Sequence, residues 1–155
     1  MLEIERISRL SARYTLDDDE GHTGSWARRR FREEMDGDLD GERYELRRER
    51  RNRLVLVHSG RVLATADAGK RGRWMISCGD STYVLARKSR WRSEMELRSG
   101  EKTLGSIRRA RRGGVLCDLP SEVSPAARAF VAFVVLTLWN RAAAGADAGA
   151  VAATG

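Results

Sequence analysis

One stretch near the end of the chain limits the fold more than any other. The run Ala129-Phe-Val-Ala-Phe-Val-Val-Leu-Thr-Leu-Trp139 has essentially no polar face. Ser124 suits a helix N-cap and Pro125 the first helical position, so a helix is predicted over about 124–143. A helix that is apolar all round has to be enclosed on every side or lie in lipid. At about 1.5 Å per residue the run spans roughly 16 Å, against about 30 Å for a bilayer core. Arg128, Asn140 and Arg141 bracket it closely. A sheet closed around the helix satisfies both constraints and leaves no sheet edge exposed. Burial of Phe130, Phe133, Leu136, Leu138 and Trp139 would then contribute about 1.5–3 kcal/mol each.

The rest of the chain supplies such a sheet. Gly21, Gly60 and Gly100 recur at near-equal spacing, as do Leu39, Cys78 and Cys117. Gly24-Ser-Trp26, Ala64-Thr-Ala66 and Gly105-Ser-Ile107 follow the turn glycines, each leading into a basic stretch. Three segments of about 39 residues result, the first the most diverged. Within a segment the apolar period is mostly two, as in Tyr44-x-Leu46 and Glu94-Met-Glu-Leu-Arg98. Short Gly-containing turns separate the runs and are too short for parallel crossovers. Four strands per segment predict an all-β chain of about twelve antiparallel strands, closed as a barrel around the helix. A helix from Ser25 to Met35 is the rival reading of the first segment. Residues 1–144 read as one domain and 145–155 as a flexible Ala/Gly-rich tail.

The 155 residues include 41% apolar and 33% charged side chains, with a formal net charge of +7. Nearly all the positive charge is arginine, an expectation for a GC-rich bacterial genome. Such a chain is drawn to anionic partners: lipid, nucleic acid or acidic protein. Cys78 and Cys117 have no metal-ligand spacing, and matching places in adjacent segments put them about 15–19 Å apart, too far for a disulfide. The opening residues lack the build of a signal peptide, so a cytoplasmic location is expected.

The chain resembles the tubby C-terminal-like superfamily, which includes the LURP-one-related proteins and the phospholipid scramblases, and within it the small bacterial members. The likeness rests on Tyr83-Val-Leu-Ala-Arg-Lys-Ser-Arg-Trp91, Leu104-Gly-Ser-Ile-Arg-Arg109, Cys117-Asp-Leu-Pro120 and the Phe130–Trp139 run, in that order. It implies a twelve-stranded barrel around a central hydrophobic helix, with phosphoinositide or lipid binding as the associated activity. The cysteine- and proline-rich N-terminal region of scramblases has no counterpart here.

No G-x-S-x-G, Walker or G-x-G-x-x-G motif is present, so neither catalysis nor a cofactor is expected. Asp36-Gly-Asp38-Leu-Asp40-Gly41 matches the first half of a calcium loop. Arg47 stands where the bidentate glutamate is needed, so a polar turn is expected rather than a metal.

Charge patterning is the most informative functional feature. In an up-and-down barrel alternate turns share one end. One set carries Arg28, Arg29, Arg30 and Arg32, then Arg47, Arg48, Arg50, Arg51 and Arg53. It continues with Lys70, Arg71 and Arg73, then Arg87, Lys88, Arg90 and Arg92, then Arg108, Arg109, Arg111 and Arg112. The other set carries Asp17, Asp18, Asp19 and Glu20, then Asp36, Asp38 and Asp40, then Asp80. Arg28, Arg30, Arg48, Arg51, Arg71, Arg87, Lys88, Arg90, Arg108, Arg109, Arg111 and Arg112 are the candidate phosphate- or headgroup-binding residues. Trp91 lies inside one cluster and suits a membrane interface or a base stack. The expected function is a non-enzymatic barrel that binds anionic headgroups at the inner membrane surface. A nucleic-acid binder using the same end, and a scaffold for another protein, are the alternatives. A lumen filled by the helix argues against a small-molecule substrate.

Overall fold

The computed structural model describes residues 1–8, 12–29, 33–89 and 93–154. The strands are β1 Leu2–Arg6, β2 Arg13–Asp18, β3 Thr23–Arg28, β4 Met35–Leu39, β5 Glu42–Arg50 and β6 Arg53–His58. They continue with β7 Arg61–Ala68, β8 Trp74–Cys78, β9 Ser81–Arg87, β10 Met95–Ser99, β11 Lys102–Arg109 and β12 Val115–Asp118, before helix α1 Pro125–Thr154. Every strand pairs antiparallel with its sequence neighbours, and β1 pairs with β12 through Leu2↔Cys117 and Ile4↔Val115, which closes the barrel. The predicted all-β barrel of twelve strands with one C-terminal helix is therefore the observed fold. Strand β3 takes the first part of the span where the rival reading placed a helix, paired through Tyr14↔Trp26 and Trp26↔Gly37, and β4 begins at its last residue, Met35; residues 30–32 of the span lie outside the described residues.

Period-two alternation sets the inner wall. Leu2 and Ile4, Tyr14 and Leu16, Leu54 and Leu56, Trp74 and Ile76, and Val115 and Cys117 all point inward and are buried. They enclose α1, in which every residue from Ala127 to Thr137 is buried. A helix without a polar face thus meets apolar side chains on all sides, as its composition demands. It lies against β12, β1 and β7, where Ala64 and Ala66 keep the wall thin. Ser124 fills the cap role: its Oγ accepts the Ala127 N–H at 3.3 Å and its carbonyl the Arg128 N–H at 2.9 Å.

The predicted helix end near residue 143 is too early. The helix continues to Thr154, since alanine is the strongest helix former and no proline interrupts it. By length and composition Pro125–Ala146 could cross a membrane, although the apolar run Ala129–Trp139 within it is too short to do so alone. In the structure 56% of that window is buried in the barrel.

The equivalent glycines Gly24 and Gly105 have one job. A Cβ on either would stand 2.0 and 1.9 Å from the carbonyl oxygens of Asp38 and Asp118 on the adjoining strand. A side chain there would force the strands apart.

Candidate anion-binding site at the basic end

Sequential antiparallel order fixes which connections share an end. Residues 7–12, 29–34, 51–52, 69–73, 88–94 and 110–114 link strands at one end. Residues 19–22, 40–41, 59–60, 79–80 and 100–101 link them at the other, where 119–124 also lead into α1. The helix enters at the second end and emerges at the first, where Trp139 Nε1 donates to the Ser93 carbonyl at 2.8 Å. The basic turns singled out from the sequence all fall at this first end. Arg30 and Arg90, with Arg32, Trp91 and Arg92, lie outside the described residues.

The structure divides that end into two unequal halves. On the β3–β6 side Arg29, Arg47, Arg48 and Arg53 are neutralised. Arg29 meets Asp36 at 2.8 Å, Glu34 at 3.3 Å and Glu45 at 3.1 Å. Arg47 meets Glu45 at 2.7 Å, Arg48 meets Glu33 at 2.9 Å, and Arg53 bridges Glu49 and Asp67. Arg48 is thus a structural ion-pair partner. Arg28 is exposed at the end of β3. On the β7–β12 side Lys88 pairs with Glu94 at 3.3 Å. Arg71, Arg73, Arg87, Arg108, Arg111 and Arg112 form no ion pair with any described residue, nor does Lys70, and on the β5–β6 turn neither do Arg50 and Arg51. Among the described residues, unpaired cationic charge is therefore concentrated on one half of the rim.

Two turns there are built alike. Lys70-Arg71-Gly72 and Arg111-Arg112-Gly113 are 3-10 turns between β7 and β8 and between β11 and β12. Gly69 donates to the Arg73 carbonyl at 2.7 Å, and Ala110 to that of Gly114 at 3.0 Å. In both, the middle arginine is left-handed, Arg71 at φ 58° and Arg112 at φ 58°. Such a conformation costs an ordinary L-residue about 1–2 kcal/mol, and glycine essentially nothing. An arginine at both places, where glycine would relieve the backbone, directs attention to the side chains.

Between these turns, the emerging end of α1 and the β8–β11 wall border a groove of about 580 Å³. Arg71, Arg87 and Arg109 surround it, above an apolar floor that includes Trp74, Met95 and Leu138. Arg109 is held in place: its Nε donates to Ser93 Oγ at 3.2 Å, and its guanidinium lies 4.7 Å from the centre of the Trp139 ring. Arg141 covers Trp74 at 5.8 Å. Trp139 reads from the sequence as a core residue, and Trp74 carries no functional signal there. Only the helix exit shows that they line a cationic opening.

Glu33 ties α1 to the rim through Arg141, 2.6 Å away, and through Arg48. Burial pushes its carboxyl up, but hydrogen bonds from Arg141 and Arg48 and their charges outweigh that and hold it below the ordinary glutamate value. A depressed carboxyl contributes stability above its unfolded pKa and loses it as pH falls through the folded one. Glu33→Gln is expected to cost about 1 kcal/mol at neutral pH, solvent screening keeping it modest. The gap between variant and wild type should close in acid; urea melts that keep a constant gap would refute this.

The other end is acidic, with Asp17, Asp19, Asp80, Glu101 and Glu122 exposed there. One sequence assignment is corrected: Asp36 sits at the opposite end of β4, bonded to Arg29. The calcium-loop match does not form a loop either. Residues 36–39 are extended in β4, and each carboxylate has its own partner. Asp36 binds Arg29, Asp38 accepts from Ser25 N at 3.2 Å, and Asp40 binds Thr23 N and His22. Alternation along a strand spreads these groups instead of wrapping them round an ion. A different group converges at this end: Asp18, Glu20 and His22 offer ligand atoms within 4.8 Å of one another. Their cation is internal, since the buried Arg128 guanidinium lies 3.2 Å from Glu20 and 3.5 Å from Asp18. His22 titrates above its ordinary value because Asp40 accepts its hydrogen bond. Burial pushes the Cys78 thiol up to about 11 and the Cys117 thiol up to about 12, so neither is a ready nucleophile.

Comparison with family models, curated proteins and solved structures returns no significant match, so the functional reading rests on the geometry of this chain.

Proposed function

We propose that this protein is a non-enzymatic, tubby-like barrel that docks its basic end on an anionic membrane surface, peripheral to the inner face of the cytoplasmic membrane. One observation carries the reading: among the described residues Lys70, Arg71, Arg73, Arg87, Arg108, Arg111 and Arg112, on the β7–β12 half of one rim, form no ion pair, while Asp17, Asp19, Asp80, Glu101 and Glu122 are exposed at the opposite end. A dipolar body of this kind orients itself at a charged surface and presents the cationic rim. Near-surface attraction is worth about 1 kcal/mol per basic residue and fades within a Debye length.

A nucleic-acid surface offers the same phosphates but fits the described residues less well. Single-strand binders stack bases on open aromatic faces. Here Trp139 and Trp74 are covered by Arg109 and Arg141. Described groups that often do chemistry are also engaged elsewhere: His22 with Asp40, His58 with the Arg43 carbonyl, and both cysteines as high-pKa thiols.

The test is co-sedimentation with phosphatidylcholine vesicles, with and without phosphatidylglycerol, across a salt series. Wild type should bind the anionic vesicles alone and be released by salt. The triple variant Arg71→Gly, Arg111→Ser, Arg112→Gly should bind on the order of a hundredfold more weakly, from three lost contacts at about 1 kcal/mol each. It should melt no lower than wild type, because glycine relieves the two left-handed positions. Absence of binding to anionic vesicles at low salt would end the membrane reading. Binding to single-stranded RNA with a steep salt slope, and not to vesicles, would put nucleic acid in its place.

A further inference from the structure

We infer that the groove at the basic end is a binding site for one small amphiphile: a phosphate monoester joined to a single apolar chain. The inference deepens the membrane reading, since it uses the same end of the barrel, but it concerns a cavity and not the surface charge.

Arg71, Arg87 and Arg109 converge on the groove from three elements, and no described carboxylate lines it. Arg71 and Arg87 form no ion pair with any described residue, and the terminal nitrogens of Arg109 make no hydrogen bond there either. Three guanidiniums around one opening match the charge and the fork geometry of a phosphate monoester. Arg109 is also preorganised by Ser93 and Trp139, which reduces the ordering a ligand would require.

The floor narrows the class. A site for a bare anion would be polar throughout. This one is also lined by Trp74 and Met95 of the wall and Leu138 of the helix. Its volume of about 580 Å³ falls in the ordinary range for small-molecule sites, and is far larger than one phosphate needs. An apolar chain attached to the phosphate fills the remainder. A planar nucleotide base suits it less, since the indole faces already carry guanidiniums. The helix fills the lumen, yet the groove opens at the rim, where Leu138, Trp139 and Ala142 face Arg71, Arg87 and Arg109.

The ligand has two sources, a lysophospholipid in a membrane or a free alkyl or prenyl phosphate, and the experiment separates them. Decyl phosphate below its micelle concentration, 1-decanol and inorganic phosphate are titrated into the full chain, with tryptophan fluorescence as the readout. Trp74 and Trp139 border the groove, so occupancy changes their emission. Decyl phosphate should bind at least about tenfold more tightly than either fragment, a difference of about 1.4 kcal/mol. Arg87→Gln and Arg71→Gly should each weaken it by about tenfold. Arg111→Ser, outside the groove, should leave it unchanged while weakening vesicle docking. A thermal melt of each variant confirms the fold.

Equal affinity for decyl phosphate and inorganic phosphate would overturn the inference, as would undiminished binding by both groove variants. Vesicle docking without decyl phosphate binding would sink the groove and leave the membrane reading standing. Decyl phosphate binding without vesicle docking would do the reverse and assign the site to a free ligand. Binding of both, with decyl phosphate displaced by vesicles doped with lysophosphatidate, would place the source in the membrane.

Discussion

Replacing Arg128 with alanine is expected to destabilise the barrel by about 3–5 kcal/mol, read as a lower urea midpoint at an unchanged slope. Arg128 is only 2% exposed, one turn into the most apolar helix of the chain. Its guanidinium reaches Glu20 at 3.2 Å and the fully buried carboxylate of Asp18 at 3.5 Å. Asp18 Oδ1 meanwhile accepts the N–H groups of Glu20 at 2.8 Å and His22 at 2.9 Å, which shapes the β2–β3 turn. Removing the guanidinium leaves a buried negative charge with backbone donors alone, so most of the cost is that of an uncompensated ion and not of a lost contact. The double variant Arg128→Met, Asp18→Asn tests this account. Asparagine keeps an acceptor for the turn and removes the charge, and methionine fits the apolar surroundings. It should recover more than half of the loss. If the double variant is no better than Arg128→Ala, the cost comes from packing around the helix. If Arg128→Ala costs under about 1 kcal/mol, the guanidinium has access to water.

Much of this architecture was legible before any coordinates. Period-two runs and the helix without a polar face both report local chemistry, and together they demand a closed sheet. The turn glycines Gly21, Gly60 and Gly100 recur because each occupies a positive φ, at 89°, 75° and 61°. The basic end was legible for a similar reason: turn residues are contiguous in sequence, and up-and-down order sends alternate turns to one end. Neutralisation was not legible. Arg29 meets Glu45 sixteen positions later only because β4 lies between their strands, and Arg141 meets Glu33 only because the helix crosses the whole barrel. Such pairings depend on strand order and helix length together. The burial of Arg128 was not legible either: the sequence marks it only as a charge bracketing an apolar run, and only the assembled barrel encloses it. The groove is a tertiary feature altogether, lined by residues of a 3-10 turn, strands, a loop and the helix that are distant in sequence, from Arg71 to Ala142.

Phe133→Ala should produce a loss of comparable size, about 3–5 kcal/mol and toward the upper part of that range. The ring is fully buried at the middle of the lumen, 4.8 Å from Trp26 and 6.0 Å, edge-on, from Tyr14. The cost of such a truncation depends on how far the surroundings relax into the space left behind. In a sandwich two layers can approach each other. A closed barrel cannot narrow without shifting its ladders, and here every strand is paired on both sides. Trp26 is restrained as well, because its ring lies over Gly37, where a Cβ would stand 2.2 Å from it. Phe133→Leu keeps most of the volume and should cost less than about 1.5 kcal/mol. Leu138→Ala, on the half-buried side facing the groove, should also cost far less than Phe133→Ala, since its neighbourhood already opens to water. Urea melts of the three variants decide the matter. A Phe133→Ala loss below about 2 kcal/mol would mean that the barrel contracts around its helix, and the groove beside Leu138 would then be a variable opening set by helix position. A large loss beside a small one at Leu138 would mean a rigid wall, tightly filled at mid-lumen and open at the basic mouth.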